Sequence, residues 1–145
     1  MTSVDVRNMT RRAAPRFPYT DITNTTLPGW NISLVFVGAT RARTLNKKLR
    51  NKDYVPNVLS YQLGERSGEV IICLDVLKKQ APAYCLLPPA YCLLLFIHGL
   101  LHLKGHPHGP TMERKERELL ARFVGISLNK NGSTKRLEYR GKTRG

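Results

Sequence analysis

Apolar positions along this chain fall into two periodicities, and their order predicts short strands interleaved with helices. SVDVR at residues 3–7 alternates like a short strand, whereas the Arg/Pro/Thr/Asn-rich passage that follows, up to residue 31, carries only weak local signals and no element is assigned there. From Ile32, ISLVFVG is an apolar, β-branched run closed by Gly38 and reads as a strand. In ATRARTLNKKLRNKD (39–53), Ala42, Leu45 and Leu49 recur at helical spacing on a basic ground, which predicts an amphipathic helix with Arg and Lys on its open side. VLSYQL (58–63) and EVIICL (69–74) are two further strands joined by the turn GERSG, and Asp75 is placed as the cap of a short helix that Pro82 stops.

The longest apolar stretch, AYCLLPPAYCLLLFIHGLLHL (83–103), has no formal charge and is long enough to cross a bilayer. Pro88 and Pro89 break it, and two histidines would lie at bilayer depth, where polar groups are costly. It therefore predicts a buried helix over about 88–104, with proline in its first turn and Gly105 at its end, and no membrane partner. PAYCLL occurs twice in this region, at 82–87 and 89–94, too little to signal a repeat fold. Beyond Pro110, Thr111 is the expected cap of a last helix whose Met112, Leu119, Leu120 and Phe123 point inward. One domain spans residues 1–128, followed by a polar, basic tail at 129–145 that is expected to be flexible.

Composition narrows the function. A chain of 145 residues with 41% hydrophobic and 23% charged residues is one globular domain rather than a disordered segment. Its 24 Lys+Arg against 10 Asp+Glu give a formal charge of +14, so a polyanion such as nucleic acid is the first partner to consider. Cys73, Cys85 and Cys92 have no metal-type spacing and read as small core residues in a reducing compartment. With no secretory-type apolar stretch near the N-terminus, the expected location is the cytoplasm, an organellar matrix being the alternative.

All four histidines fall between residues 98 and 108. His98 and His102, four apart on a helix, share one face, and Gly105 lets the chain swing His108 back toward them. His-x3-His-x5-His with that glycine is the interval of metzincin-type zinc sites, and three neutral imidazoles leave the fourth position of one zinc ion (Zn2+) to water. His106 is expected to face solvent on the turn. A zinc peptidase keeps a glutamate beside its first histidine; Gly99 stands there, which disfavours peptide hydrolysis, while zinc chemistry on a phosphoryl oxygen remains open.

The stretch HGLLHLKGHPH resembles the signature of the YbeY family of ribosomal-RNA-maturation endoribonucleases, His-Gly-x-Leu-His-Leu-x-Gly-aromatic-Asp-His. LNKKLRNKDYVPNVLSYQL (45–63), GEVII (68–72) and a last helix with Met112, Glu113 and a closing Gly125 are similar to the family's other blocks, so the resemblance covers about residues 32–126. It implies an α/β (α+β) fold, a small mixed sheet packed with helices, with His98, His102 and His108 as zinc ligands at the end of a long central helix, and Arg50 as the functional arginine. It further implies single-stranded RNA as substrate and the ribosome or its small subunit as partner. The implied role is maturation of the 16S-type rRNA 3′ end and ribosome quality control. Pro56-Asn57 replaces the family's Thr-Asp and His106-Pro107 its aromatic-Asp, which takes away two carboxylates that could support the ligands.

Arg50 also follows from the residues themselves. It closes a helix bearing Arg41, Arg43, Lys47 and Lys48, and a guanidinium can hold two phosphate oxygens at once. Lys47 and Lys48 are read as neutralisers of the RNA phosphates. Two rival functions stand beside the nuclease: a non-catalytic ribosome-assembly or rRNA-binding protein with a structural metal, and a small zinc peptidase that borrows a carboxylate such as Glu113.

Overall fold

Four strands, β1 (Ser3–Asn8), β2 (Asn31–Val37), β3 (Val58–Gly64) and β4 (Ser67–Cys73), form one sheet in the order β1-β2-β4-β3 in the computed structural model, which describes residues 1–128 and 134–136. β1 and β4 both lie parallel to β2, and β3 runs antiparallel to β4 at the sheet edge. Side chains alternate between two covered faces. Ile32, Leu34 and Phe36 join Val70 and Ile72 in the main core, while Val35, Val37, Ile71 and Cys73 meet a second cluster. Covered faces on both sides explain why β2 and β4 read as continuous apolar runs.

Helix α2 (Ala39–Arg50) lies over the second cluster through Ala39, Ala42 and Leu45. The opposite face carries α1 (Tyr19–Thr26), α4 (Pro88–Leu103) and α5 (Pro110–Phe123). Eleven of the 16 residues of α4 are buried, as suits a helix apolar all round and enclosed by sheet and helices. Among the described residues, no single helix is long and apolar enough to cross a membrane. Gly105, at φ +100°, ends α4: its N–H bonds the His102 carbonyl at 2.9 Å and the His106 N–H bonds the Leu101 carbonyl at 3.0 Å. This is the Schellman pattern expected of a left-handed glycine after a helix.

Several elements differ from the sequence reading. α1 stands in the passage where no element was assigned, because YTDITNTT is poor in strong helix formers and is held by the burial of Tyr19, Ile22, Thr23 and Thr26 instead. Leu49 is 44% exposed and Asn46 takes the inward place; its Nδ2 donates to the Tyr54 carbonyl at 3.1 Å, tying the following loop to α2. Thr111 is an exposed residue inside α5, which starts at Pro110 with Gly109 as cap. Cys73 and Cys92 are buried as expected, and burial pushes the Cys92 thiol up to about 12, but Cys85 is exposed on a turn. Of the expected flexible tail, Thr134–Arg136 forms β6, paired antiparallel with β5 (Ile126–Leu128), and the rest lies outside the described residues.

Asp75 does not cap its own helix, α3 (Leu74–Gln80). Its Oδ2 accepts the Ala39 N–H at 3.1 Å, capping α2 across the fold where Gly38 has no side chain to do so, and its Oδ1 pairs with Arg12 at 3.1 Å. Asp75→Ala is therefore expected to cost roughly 1 kcal/mol, a loss of a few degrees in Tm. Thermal unfolding checks this; an unchanged Tm would show that the α2 N-terminus gains nothing from the carboxylate.

Candidate metal centre

His98 and His102 stand one turn apart near the end of α4, and His108 follows the Gly105 turn. Their candidate ligand atoms lie within 4.8 Å of one another, with the Nε2 atoms of His102 and His108 only 3.0 Å apart. Two imidazole lone pairs aimed at one another repel unless a cation or a shared proton lies between them, so the convergence itself fits a metal. Burial, then the neighbouring His98 and His108, hold the His102 imidazole below its usual value, which favours the neutral form that ligates.

His98 has a partner that the sequence reading missed. Its Nδ1 lies 2.5 Å from Oε2 of Glu116, a carboxylate only 2% exposed on α5. A carboxylate only accepts, so Nδ1–H donates to it and Nε2 is left for the cluster, the arrangement that commonly orients metal-bound histidines. The signal was present: Met112, Glu116, Leu120 and Phe123 form the buried stripe of α5, and one member is charged. Glu116→Gln is expected to weaken metal binding roughly 10- to 100-fold. Competition against a chromophoric chelator reads this, and wild-type affinity in the variant would show the carboxylate to be dispensable.

The imidazoles open on a cavity of about 460 Å³ that Arg50 and the β3 edge from Asn57 to Ser60 also line. Arg50 reaches it from the far end of α2. Its Nη1 donates to the Tyr54 hydroxyl at 3.1 Å and to Asn46 Oδ1 at 3.4 Å, so the buried asparagine positions both the loop and the guanidinium. Asn51, left-handed at φ 56°, turns the chain away behind it. Lys47 and Lys48 are exposed on the same helix but do not line the cavity, and Arg43 is paired with Asp53 at 2.8 Å. His106 is half-buried rather than solvent-facing and stands outside the cluster.

Asn57, one of the departures noted above, builds the cavity wall. Its Oδ1 accepts the Val58 N–H at 2.7 Å, and its Nδ2 donates to Gln80 Oε1 at 3.2 Å and to the Tyr91 hydroxyl at 3.4 Å. Among the described residues no carboxylate lines the cavity, and Glu113 is exposed elsewhere on α5. Gly99 faces the sheet: a Cβ there would meet Val70 Cγ1 at 3.0 Å and Ser60 Cβ at 3.5 Å. The peptidase glutamate is thus absent from a position that has no room for it.

The profile of the family described as endoribonuclease YbeY matches residues 4–124, which includes the N-terminal passage. Curated relatives of that name are similar to this chain. The protein of Thiobacillus denitrificans is 35% identical over 102 residues, covering 63% of this chain and 69% of its own length. That of Cupriavidus metallidurans is 33% identical over 94 residues (61% and 48%), and that of Chromobacterium violaceum 35% over 101 residues (64% and 60%). The aligned part thus spans from about half to just over two thirds of those relatives. A solution structure from Thermotoga maritima has the same fold, with a TM-score of 0.57 at 18% identity over 81% of this chain and 86% of that one.

Proposed function

Because the chain belongs to the endoribonuclease YbeY family, we propose that it is a single-strand-specific metallo-endoribonuclease of ribosomal RNA maturation. Its proposed partner is the ribosome or the small subunit, its task processing of the 16S-type rRNA 3′ end and ribosome quality control, and its place the cytoplasm. The observation that carries the reading is one cavity in which Arg50 stands with three convergent imidazoles.

Three nitrogen donors, one of them set by a carboxylate, suit zinc. Held by His98, His102 and His108, zinc supplies Lewis acidity toward a phosphoryl oxygen and lowers the pKa of water. Arg50, anchored through Nη1, brings its remaining N–H donors to the cavity, where they hold non-bridging phosphate oxygens and offset charge that grows as the P–O bond breaks. Lys47 and Lys48 neutralise the strand outside the cavity, without a part in the chemistry.

The test is cleavage of labelled single-stranded RNA by zinc-loaded protein, protein stripped by chelator, and stripped protein given zinc again. Turnover is expected to vanish and return with the metal. Arg50→Ala is expected to keep its zinc and lose roughly 10²- to 10³-fold in kcat/KM, and Arg50→Lys to recover only part of that, because an ammonium lacks the planar fork. Undiminished cleavage by Arg50→Ala would remove the arginine's role. The second reading, an rRNA-binding assembly protein with a structural metal, draws on the +14 charge. It predicts salt-sensitive RNA binding by zinc-loaded protein without product.

A further inference from the structure

A smaller recess of about 80 Å³ adjoins the metal cavity and shares Asn57, Val58 and His98 with it. Its distinctive members are two tyrosines. Tyr84 and Tyr91 stack with ring centroids 4.8 Å apart and planes at 24°. Tyr91 is 1% exposed, and its hydroxyl donates to Gln80 Oε1 at 2.8 Å and accepts from Asn57 Nδ2 at 3.4 Å, so that ring is fixed. Tyr84 is half-buried at the end of the 3₁₀ turn Ala81–Tyr84, after which Cys85 turns the chain in a left-handed conformation at φ 55°.

The two rings occupy the same place in the two copies of PAYCLL. The duplication, which the metal site leaves without a purpose, thus supplies the upper and lower members of one stack. We infer that Tyr84, backed by Tyr91, is a stacking platform for the nucleobase next to the scissile phosphate. This inference rests on the nuclease reading above.

Three features favour a base over other occupants. The recess shares the walls Asn57, Val58 and His98 with the cavity proposed to hold the phosphate, so a strand held in the first lies beside the second. A ring already braced by a second ring loses little freedom when a third joins, and single-stranded RNA presents unstacked bases. The polar groups of the recess are also engaged, the asparagine amide with Gln80, Tyr91 and Val58 and the Glu116 carboxylate with His98. Recognition there is consequently by ring face rather than by base edge, tolerant of sequence but favouring the larger purine surface.

A short single-stranded RNA cut at one site, made with one abasic nucleotide at each position around that site, tests this with zinc-loaded wild-type, Tyr84→Leu and Tyr84→Phe proteins. For wild type, one abasic position flanking the cut is expected to raise KM by roughly 5- to 100-fold, the span for loss of one stacked base. Tyr84→Leu should lose that position's penalty and no other, and Tyr84→Phe should retain it. An abasic profile identical in wild type and Tyr84→Leu would overturn the inference. So would a wild-type profile without a sensitive flanking position, a result that needs no variant to fold. If wild type cuts no RNA, the nuclease reading fails separately, and the fluorescence of bound RNA carrying 2-aminopurine still decides the stacking. Quenching in wild type that is lost in Tyr84→Leu supports the platform, and equal quenching in both overturns it.

Discussion

His98→Ala is expected to lose bound zinc and RNA cleavage together, with turnover falling roughly 10³-fold or more, the scale of several kcal/mol of transition-state stabilisation. Two effects combine at this residue. The cluster loses one of its three nitrogen donors, and Glu116, 2% exposed, loses the imidazole that faces it. A buried carboxylate that loses a hydrogen-bond donor is destabilised, so the variant should also unfold at a lower temperature. His108→Ala separates the two effects, because His108 is exposed on the turn, whereas His98 is the imidazole hydrogen-bonded to Glu116. It should lose zinc and turnover while the metal-stripped protein keeps the Tm of stripped wild type. Metal analysis, a cleavage assay and thermal unfolding of both variants read all three quantities. Full cleavage by either variant, or one zinc per chain retained in both, would end the three-histidine account.

Gly99→Glu writes the His-Glu-x-x-His of a zinc peptidase into α4, and the expected result is a damaged fold with no peptidase. The new side chain would have to enter between α4 and the sheet, where even a Cβ lies 3.0 Å from Val70 Cγ1 and 3.3 Å from Val70 Cγ2. Val70 is fully buried. Overpacking of such a contact costs typically 1–3 kcal/mol, and a carboxylate forced into an apolar layer adds several more, for a loss of about 3 kcal/mol or greater. Chemical denaturation measures it, and a casein or peptide assay should show no hydrolysis. A stable Gly99→Glu protein that hydrolyses peptide would mean that position 99 faces the metal cavity after all.

What the sequence disclosed, and what it hid, follows from which forces are local. β2, α2 and α4 are legible because apolar spacing along one segment records the faces it buries, and His98, His102 and His108 because metal geometry demands fixed intervals. Gly105 was readable for the same reason: a left-handed residue after a helix leaves a glycine. α1 was hidden because contacts from elsewhere hold together residues that are individually poor helix formers. Asp75 and Glu116 were misread or overlooked because each serves an element distant in sequence, the start of α2 in one case and His98 in the other. Asn46 displaced Leu49 from the inward face because a loop carbonyl needed a donor there. An amphipathic count rewards apolar atoms and is blind to such a need.

Arg50 comes from the helix on one face of the sheet, and the histidines from α4 and the turn after it on the other, and they meet over the rim formed by β3. A strand at a rim has one row of amide groups without a neighbouring strand, the usual starting point for unwanted chain-to-chain pairing. Here that row is flanked by the Arg50 guanidinium on a molecule of charge +14, so two copies approaching rim to rim repel. The guanidinium proposed to hold phosphate thereby also acts as a gatekeeper against self-association.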